Sequence, residues 1–89
     1  IEGEEGDDFI DGGAGADRLE GGLGSDQLRE GMGDGWVLGG DGNDLLSGEE
    51  GDDRLEGGAG NDQLAEGAGD GWIFGGDGND TLNGGEGAD

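Results

Sequence analysis

Residues 39–47 read GGDGNDLLS, and residues 75–83 read GGDGNDTLN. Each stretch places glycine, aspartate and asparagine in its first six positions and centres its last three on a leucine. Divided into nines from Gly3, the chain follows this pattern from end to end without a slip in phase. A fixed period of this kind is the signature of a repeat architecture, so the nonapeptide is the unit from which the fold is derived.

The glycines occupy fixed positions within the nonapeptide. The fourth position is glycine in all ten copies, and the first and second positions are glycine in eight copies each. Together with Gly35 and Gly71 at the sixth position, these account for all 28 glycines of the chain. Composition alone favours a disordered acidic linker, but a linker would scatter its glycines. The regular placement therefore favours a folded repeat.

The eighth position is aliphatic in every copy, which predicts a short strand with an inward-facing centre. Side chains alternate along a strand, so the residues on either side of the aliphatic residue face outward. Two nonapeptides form one coil with a strand on each side, and coils stacked ~4.8 Å apart pair each strand with parallel neighbours. The aliphatic residues are Ile1, Ile10, Leu19, Leu28, Val37, Leu46, Leu55, Leu64, Ile73 and Leu82.

The predicted fold is therefore all-β. We expect a right-handed parallel β-roll, a β-solenoid of about five 18-residue coils with two short-stranded parallel sheets; its hand follows the general rule for parallel crossovers. Residues 1–89 are expected to form a single segment of this roll within a longer array or a larger protein.

Charge and composition exclude several classes of function. The chain has 25 acidic and 3 basic residues, a net charge of −22, which excludes nucleic acid as a direct partner and opposes binding to anionic membranes. No apolar segment is long enough for membrane insertion. The chain has no His, Cys, Lys or Tyr, and neither Ser25 nor Ser47 has a base beside it. We therefore expect no enzymatic activity from this segment.

The sixth position is aspartate in eight of the ten copies. The copies GGAGNDQLA, GGDGNDTLN and GGAGADRLE resemble the GGxGxDxUx nonapeptide of the RTX calcium-binding proteins, which are secreted bacterial proteins. The resemblance implies calcium ions between loops one coil apart. It also implies carboxylate ligands from Asp8, Asp17, Asp26, Asp44, Asp53, Asp62, Asp80 and Asp89. The carbonyl ligands it implies belong to turn glycines: Gly13, Gly15, Gly22, Gly24, Gly40, Gly42, Gly58, Gly60, Gly76 and Gly78.

The chemistry of the turns independently favours calcium. Stacked turns bring carboxylates of successive coils together, and a cation between them is needed to offset their repulsion. Calcium accepts six to eight hard oxygen ligands in flexible geometry, whereas magnesium dehydrates reluctantly. Zinc is disfavoured because the chain has neither His nor Cys. We expect several Ca²⁺ ions, up to about eight.

The two sides of the roll differ in their loops. Loops 3–8, 21–26, 39–44, 57–62 and 75–80 carry an uninterrupted series of sixth-position aspartates, for which we expect four regular sites. The other side carries loops 12–17, 30–35, 48–53, 66–71 and 84–89. Loops 30–35 and 66–71 begin with glutamate and have glycine at the sixth position. We expect weaker, altered or water-completed sites there, with Asp34 and Asp70 as candidate substitute ligands.

Aromatic residues follow these two altered loops. The outward positions on this sheet bring arginine and tryptophan onto adjacent strands, where cation–π pairs can form. Three interpretations stay open: a local ladder that covers one edge of the roll, an interface with a flanking domain or a neighbouring chain, and a surface for sugar stacking. The residues concerned are Arg18, Trp36, Leu38, Arg54, Trp72 and Phe74.

Two functions are compatible with these features. The first is a calcium-binding structural module of a secreted protein, disordered at cytosolic calcium and folded on binding extracellular calcium. The alternative is the repeat unit of an extracellular filament, adhesin stalk or surface-layer protein, stacked through uncapped ends and the tryptophan face. A repeat of 36 residues and the lack of atypical end units favour the alternative.

Overall fold

A computed structural model describes residues 2–85 of the chain. All of the regular structure in this range is β, and it contains no helix that could span a membrane. The strands are β1 Phe9–Asp11, β2 Arg18–Leu23, β3 Gln27–Arg29, β4 Trp36–Asp41, β5 Leu45–Ser47, β6 Arg54–Glu56, β7 Gln63–Ala65, β8 Trp72–Phe74 and β9 Thr81–Asn83.

The strands form two parallel sheets that alternate along the chain. The odd-numbered strands form a five-stranded sheet in the order β1-β3-β5-β7-β9, and the even-numbered strands form a four-stranded sheet in the order β2-β4-β6-β8. Each residue pairs with the residue one coil further on, as Leu28 does with Leu46 and Leu19 with Val37. The predicted parallel β-roll with an 18-residue coil is confirmed, and the described residues form about four turns of it.

The core is a single ladder of aliphatic side chains between the two sheets. Leu19, Leu46 and Leu55 are fully buried, and Ile73 is partly buried against the same ladder. Leu82 differs from the prediction because 48% of it is exposed. It lies on β9, the outermost described strand of its sheet, where no described coil packs over it. Ile1 lies outside the described residues.

The turns stack so closely that they require glycine. Gly42 has φ +114°, in the region that L side chains rarely adopt, and a Cβ there would lie 2.1 Å from the carbonyl oxygen of Gly24 in the preceding coil. The dihedral angle and the contact therefore both select glycine at the fourth position. The stack is held by backbone hydrogen bonds between coils, such as that from Gly42 N to Ala59 O at 3.0 Å.

Candidate metal centre

On the first side of the roll, the sixth-position aspartates point into the turns and form a column that is buried in its middle coils. This first-side column is Asp8, Asp26, Asp44, Asp62 and Asp80. Asp26, Asp44 and Asp62 are between 1% and 3% exposed. The backbone N–H of Asp26 donates to Oδ1 of Asp44 (2.8 Å), and that of Asp44 donates to Oδ1 of Asp62 (2.7 Å). Each carboxylate is thus held by the backbone of the preceding coil.

The second oxygen of these carboxylates lacks a partner. Oδ2 of Asp26, of Asp44 and of Asp62 is buried and has no hydrogen-bond partner among the described residues. A buried anionic oxygen without a partner is costly, because it has lost its water without gaining a donor or a cation. The column therefore presents one unsatisfied anionic oxygen per coil, which fits a bound cation.

Backbone carbonyls lie in the same turns. Within residues 2–85 the carbonyl oxygens of Gly24, Gly42 and Gly60 accept no backbone hydrogen bond, whereas that of Gly40 accepts one from Ala59 N (3.1 Å). The described residues contain no group of three acidic side chains that could hold a metal by themselves. Carbonyl oxygens would therefore have to complete the coordination, and a mixed set of carboxylate and carbonyl oxygens suits calcium.

The second side of the roll has a column of its own, built from two residue types. This second-side column is Asp17, Glu30, Asp53 and Glu66. Glu30 and Glu66 are 0% exposed. The backbone N–H of Asp17 donates to Oε2 of Glu30, and that of Asp53 donates to Oε2 of Glu66, both at 3.1 Å. Gly35 N donates to Oδ1 of Asp53 (2.9 Å), so the column continues through the altered loop.

Asp34 and Asp70 lie outside this column. Both are exposed; Oδ1 of Asp34 accepts the backbone N–H of Asp52, and Asp70 N donates to Oδ1 of Asp52, each at 2.8 Å. They belong to an outer ladder on the second side of the roll. Asn43 and Asn61 form the equivalent outer ladder on the first side. A ligand role for Asp34 and Asp70 stays a prediction.

Glu30 and Glu66 were not among the candidate ligands predicted from the sequence. A signal was present, because glutamate takes the first position only in the two loops where glycine takes the sixth. Among the predicted carboxylate ligands, the structure places seven aspartates in the two columns, and Asp89 lies outside the described residues. Ligand roles for these aspartates and for the turn carbonyls remain predictions.

Comparison with known protein families supports the same chemistry. The family model for the RTX calcium-binding nonapeptide repeat, four copies long, matches residues 1–28, 31–64 and 67–89. The chain belongs to this RTX repeat family. Each of the two gaps in the match contains one of the RTX chain's unusual glutamates, Glu30 or Glu66. No curated protein matches the chain.

Burial perturbs the acidity of the RTX columns. Burial, with the neighbouring carboxylates of Asp62 and Asp26, raises the pKa of Asp44 to about 6, although a backbone hydrogen bond opposes the shift. Burial likewise raises the pKa of Asp53 to about 7, with Glu30 and Glu66 as the charged neighbours. The pKa of Glu30 is also raised, chiefly by burial. Without a cation, these carboxyl groups bind a proton more readily than exposed carboxyl groups do.

Acid should therefore promote folding of the calcium-free RTX roll. The ordinary pKa of Asp44 and Asp53 is 3.8, so between about pH 4 and pH 7 the folded chain holds protons that the unfolded chain has released. The resulting stability is fully present below about pH 4 and is lost as the pH rises through 6 to 7. In EDTA, far-UV circular dichroism should show more β structure at pH 5 than at pH 7.5. A spectrum that does not change over this range would contradict the expectation.

The outer face of the four-stranded RTX sheet carries the predicted arginine–tryptophan ladder. The Arg54 guanidinium carbon lies 5.0 Å from the Trp36 ring centroid and 5.7 Å from that of Trp72. That of Arg18 lies 5.4 Å from Trp36. The predicted cation–π stacking is confirmed, and such contacts contribute about 0.5–1 kcal/mol each at exposed sites. Whether Trp36, Leu38, Trp72 and Phe74 also form an interface stays a prediction.

Proposed function

We propose that this chain is a calcium-binding structural module of a secreted RTX-type protein, which folds when it binds extracellular calcium. The observation that supports this most directly is the first-side column, in which successive coils bury carboxylate oxygens without partners. These oxygens are compatible with a stable roll at neutral pH only if a cation accompanies them.

The ions would lie between neighbouring coils on the first side. The intervals are those between Asp8 and Asp26, Asp26 and Asp44, Asp44 and Asp62, and Asp62 and Asp80. Sixth-position carboxylates would supply the anionic ligands, and fourth-position carbonyls such as those of Gly24 and Gly42 would supply neutral ones. Bound calcium would neutralise the stacked turns, and the chain's own residues would position the ligands through the backbone bonds to each Oδ1.

Charge couples binding to folding. Eight divalent ions would reduce the net charge from −22 to −6, removing most of the repulsion that opposes compaction. Because the binding oxygens come together only in the folded roll, the free energy of binding contributes directly to folding. Extracellular calcium modules bind at about 10⁻⁴–10⁻³ M. A module in that range would stay unfolded in the cytosol and fold outside the cell.

The proposed role is structural and not catalytic. The chain has no His, Cys, Lys or Tyr, and its buried carboxylates are arranged along two columns in stacked turns. Any catalytic activity would belong to other parts of a larger RTX-type protein.

A titration with calcium against magnesium tests the proposal. At pH 7.5 in EDTA we expect far-UV circular dichroism to show little β structure, and millimolar Ca²⁺ should induce it. Equal Mg²⁺ should not, because magnesium retains its water, and sodium chloride at matched ionic strength controls for screening. Full β structure in EDTA at this pH would overturn the proposal, as would equal induction by the three salts.

A second candidate is the repeat unit of an extracellular filament or stalk. The observation that favours it is the apolar outer face of the four-stranded sheet, where Trp72 is 63% exposed and Trp36 and Phe74 are each 46% exposed. Exposed aromatic residues at regular spacing are typical of a surface that contacts another chain. Light scattering of the calcium-bound chain distinguishes the two, since discrete monomers exclude the filament and elongated polymers support it.

A further inference from the structure

We propose that loops 30–35 and 66–71 are calcium sites in which a first-position glutamate, Glu30 or Glu66, supplies the carboxylate that a sixth-position aspartate supplies elsewhere. The inference rests on the proposed function and extends it to the side of the roll that departs from the family's repeat pattern. It assigns a ligand role to two residues that lie in the gaps of the family match.

The hydrogen bonds place the two kinds of carboxylate at equivalent points. In a regular loop, Oδ1 of Asp44 accepts the N–H of the sixth residue one coil earlier, Asp26. In the altered loop, Oε2 of Glu30 accepts the N–H of Asp17, which is also the sixth residue one coil earlier. The glutamate is attached at the opposite end of its turn, yet its carboxylate accepts a hydrogen bond from the equivalent backbone donor.

The other oxygen of Glu30 is the second observation. Glu30 is 0% exposed, and its Oε1 is buried with no hydrogen-bond partner, as is Oδ2 of Asp44. The neighbouring carboxylates of Asp17 and Asp53 also present a buried Oδ2 without a partner. The altered loop therefore adds an unsatisfied anionic oxygen between two others, which is the arrangement of the first-side column.

The space in the turn explains why glutamate and glycine occur together. A Cβ at Gly35 would lie 2.2 Å from Cγ of Glu30, and a Cβ at Gly71 would lie 2.2 Å from Cγ of Glu66. In the regular loop the relation is reversed, because a Cβ at Gly39 would lie 2.5 Å from Oδ2 of Asp44. Each turn thus has room for one inward-facing carboxylate, which either the first or the sixth residue of the loop can supply.

Two other roles for these loops make different predictions. If Glu30 served only to accept the Asp17 N–H, glutamine would replace it without loss of metal, because its amide oxygen also accepts that bond. If Asp34 supplied the ligand, its replacement would remove metal, although its side chain is exposed and its Oδ1 already accepts the Asp52 N–H.

The test counts calcium ions bound per chain, by native mass spectrometry and isothermal titration, on the 89-residue chain. Four variants are compared with wild type: Glu30→Gln, Glu30→Gly, Asp34→Asn and the double variant Glu30→Gly/Gly35→Asp. We expect Glu30→Gln and Glu30→Gly to bind at least one ion fewer and to need several-fold more calcium for half-maximal folding. The double variant, which recreates the regular loop, should restore both values, and Asp34→Asn should leave them unchanged.

The outcomes separate this inference from the proposed function. An unchanged ion count and midpoint in Glu30→Gln, or a double variant that folds no better than Glu30→Gly, would overturn the inference alone. So would loss of an ion in Asp34→Asn. If the single Glu30 variants do not fold even in high calcium, folding and full ion binding by the double variant support the inference. Absence of calcium binding by wild type would instead overturn the proposed function.

Discussion

Asp44→Asn should weaken folding in calcium and strengthen it in EDTA. Asparagine keeps the oxygen that accepts the Asp26 N–H, but it replaces the unpartnered Oδ2 with an uncharged amide nitrogen. In calcium, the substitution removes a proposed ligand from the centre of the first-side column, and removing one partner of a buried charged set costs about 3–5 kcal/mol. Because several bound ions share this cost, the calcium concentration for half-maximal folding should rise a few-fold.

In EDTA the effect of Asp44→Asn on folding has the opposite sign. The wild-type chain buries a charged Oδ2 next to the carboxylates of Asp26 and Asp62, which is why the pKa of Asp44 is raised to about 6. The substitution removes that charge at pH 7.5. Titration with trimethylamine N-oxide, which favours burial, should fold the variant at a lower concentration than wild type.

Asp52→Asn is the matched control for this reversal. Asp52 also accepts a backbone N–H from the next coil, that of Asp70 at 2.8 Å, but it is exposed on the outer ladder. Asn43 and Asn61 already occupy equivalent positions on the other side. Asp52→Asn should change neither the calcium midpoint nor the trimethylamine N-oxide midpoint of folding appreciably. If Asp44→Asn shifted both midpoints in the same direction, the assignment of Asp44 as a metal ligand would be wrong.

Gly42→Ala should abolish the cooperative calcium-bound roll or reduce its stability by more than about 4 kcal/mol. The positive φ costs about 1–2 kcal/mol for an L side chain. The larger effect is steric, since the new Cβ would lie 2.1 Å from the Gly24 carbonyl oxygen, which is backbone and cannot rotate away. Relief requires the turns of Gly24 and Gly42 to separate, which breaks the bond between them from Gly24 N to Asp41 O.

Gly15→Ala isolates the dihedral cost from the steric one. Gly15 is also a fourth-position glycine, with φ +108°, but it lies in the first described turn of its side, so a Cβ there would have no described atom within 4 Å. Thermal unfolding in saturating calcium should show only a modest loss of stability for Gly15→Ala. Equal losses for Gly15→Ala and Gly42→Ala would show that the close stacking of turns contributes nothing to the glycine requirement.

Periodicity made most of the fold predictable. A period of nine, with Leu46 and its equivalents at the eighth position and Gly42 and its equivalents at the fourth, is compatible with few structures. Parallel stacking fixes the partner of every strand residue one coil away, so one correct phase yields the whole register. Leu82 shows the limit of the rule, because its burial depends on a covering coil and not on its own type.

The alignment of the predicted carboxylate ligands followed from the same periodicity. A residue that recurs at a fixed position must recur at a fixed place in the coil, so the alignment of Asp26, Asp44 and Asp62 needed no coordinates. Only the structure shows which of their oxygens accepts a hydrogen bond. The bond from Asp26 N to Oδ1 of Asp44 and the unpartnered Oδ2 depend on side-chain geometry that a repeat pattern does not specify.

By itself, the sequence of this chain determined the coil length, the pairing of strands, the inward ladder and the concentration of acidic residues in the turns. All of these follow from the period and from the alternation of side chains along a strand. Only the tertiary structure decided that Glu30 reaches the place of a missing aspartate while Asp34 faces outward. The reason is that a turn folds back on itself, so side chains from its first and sixth residues enter the same interior space. When one of these residues fills that space with a carboxylate, only glycine fits at the other.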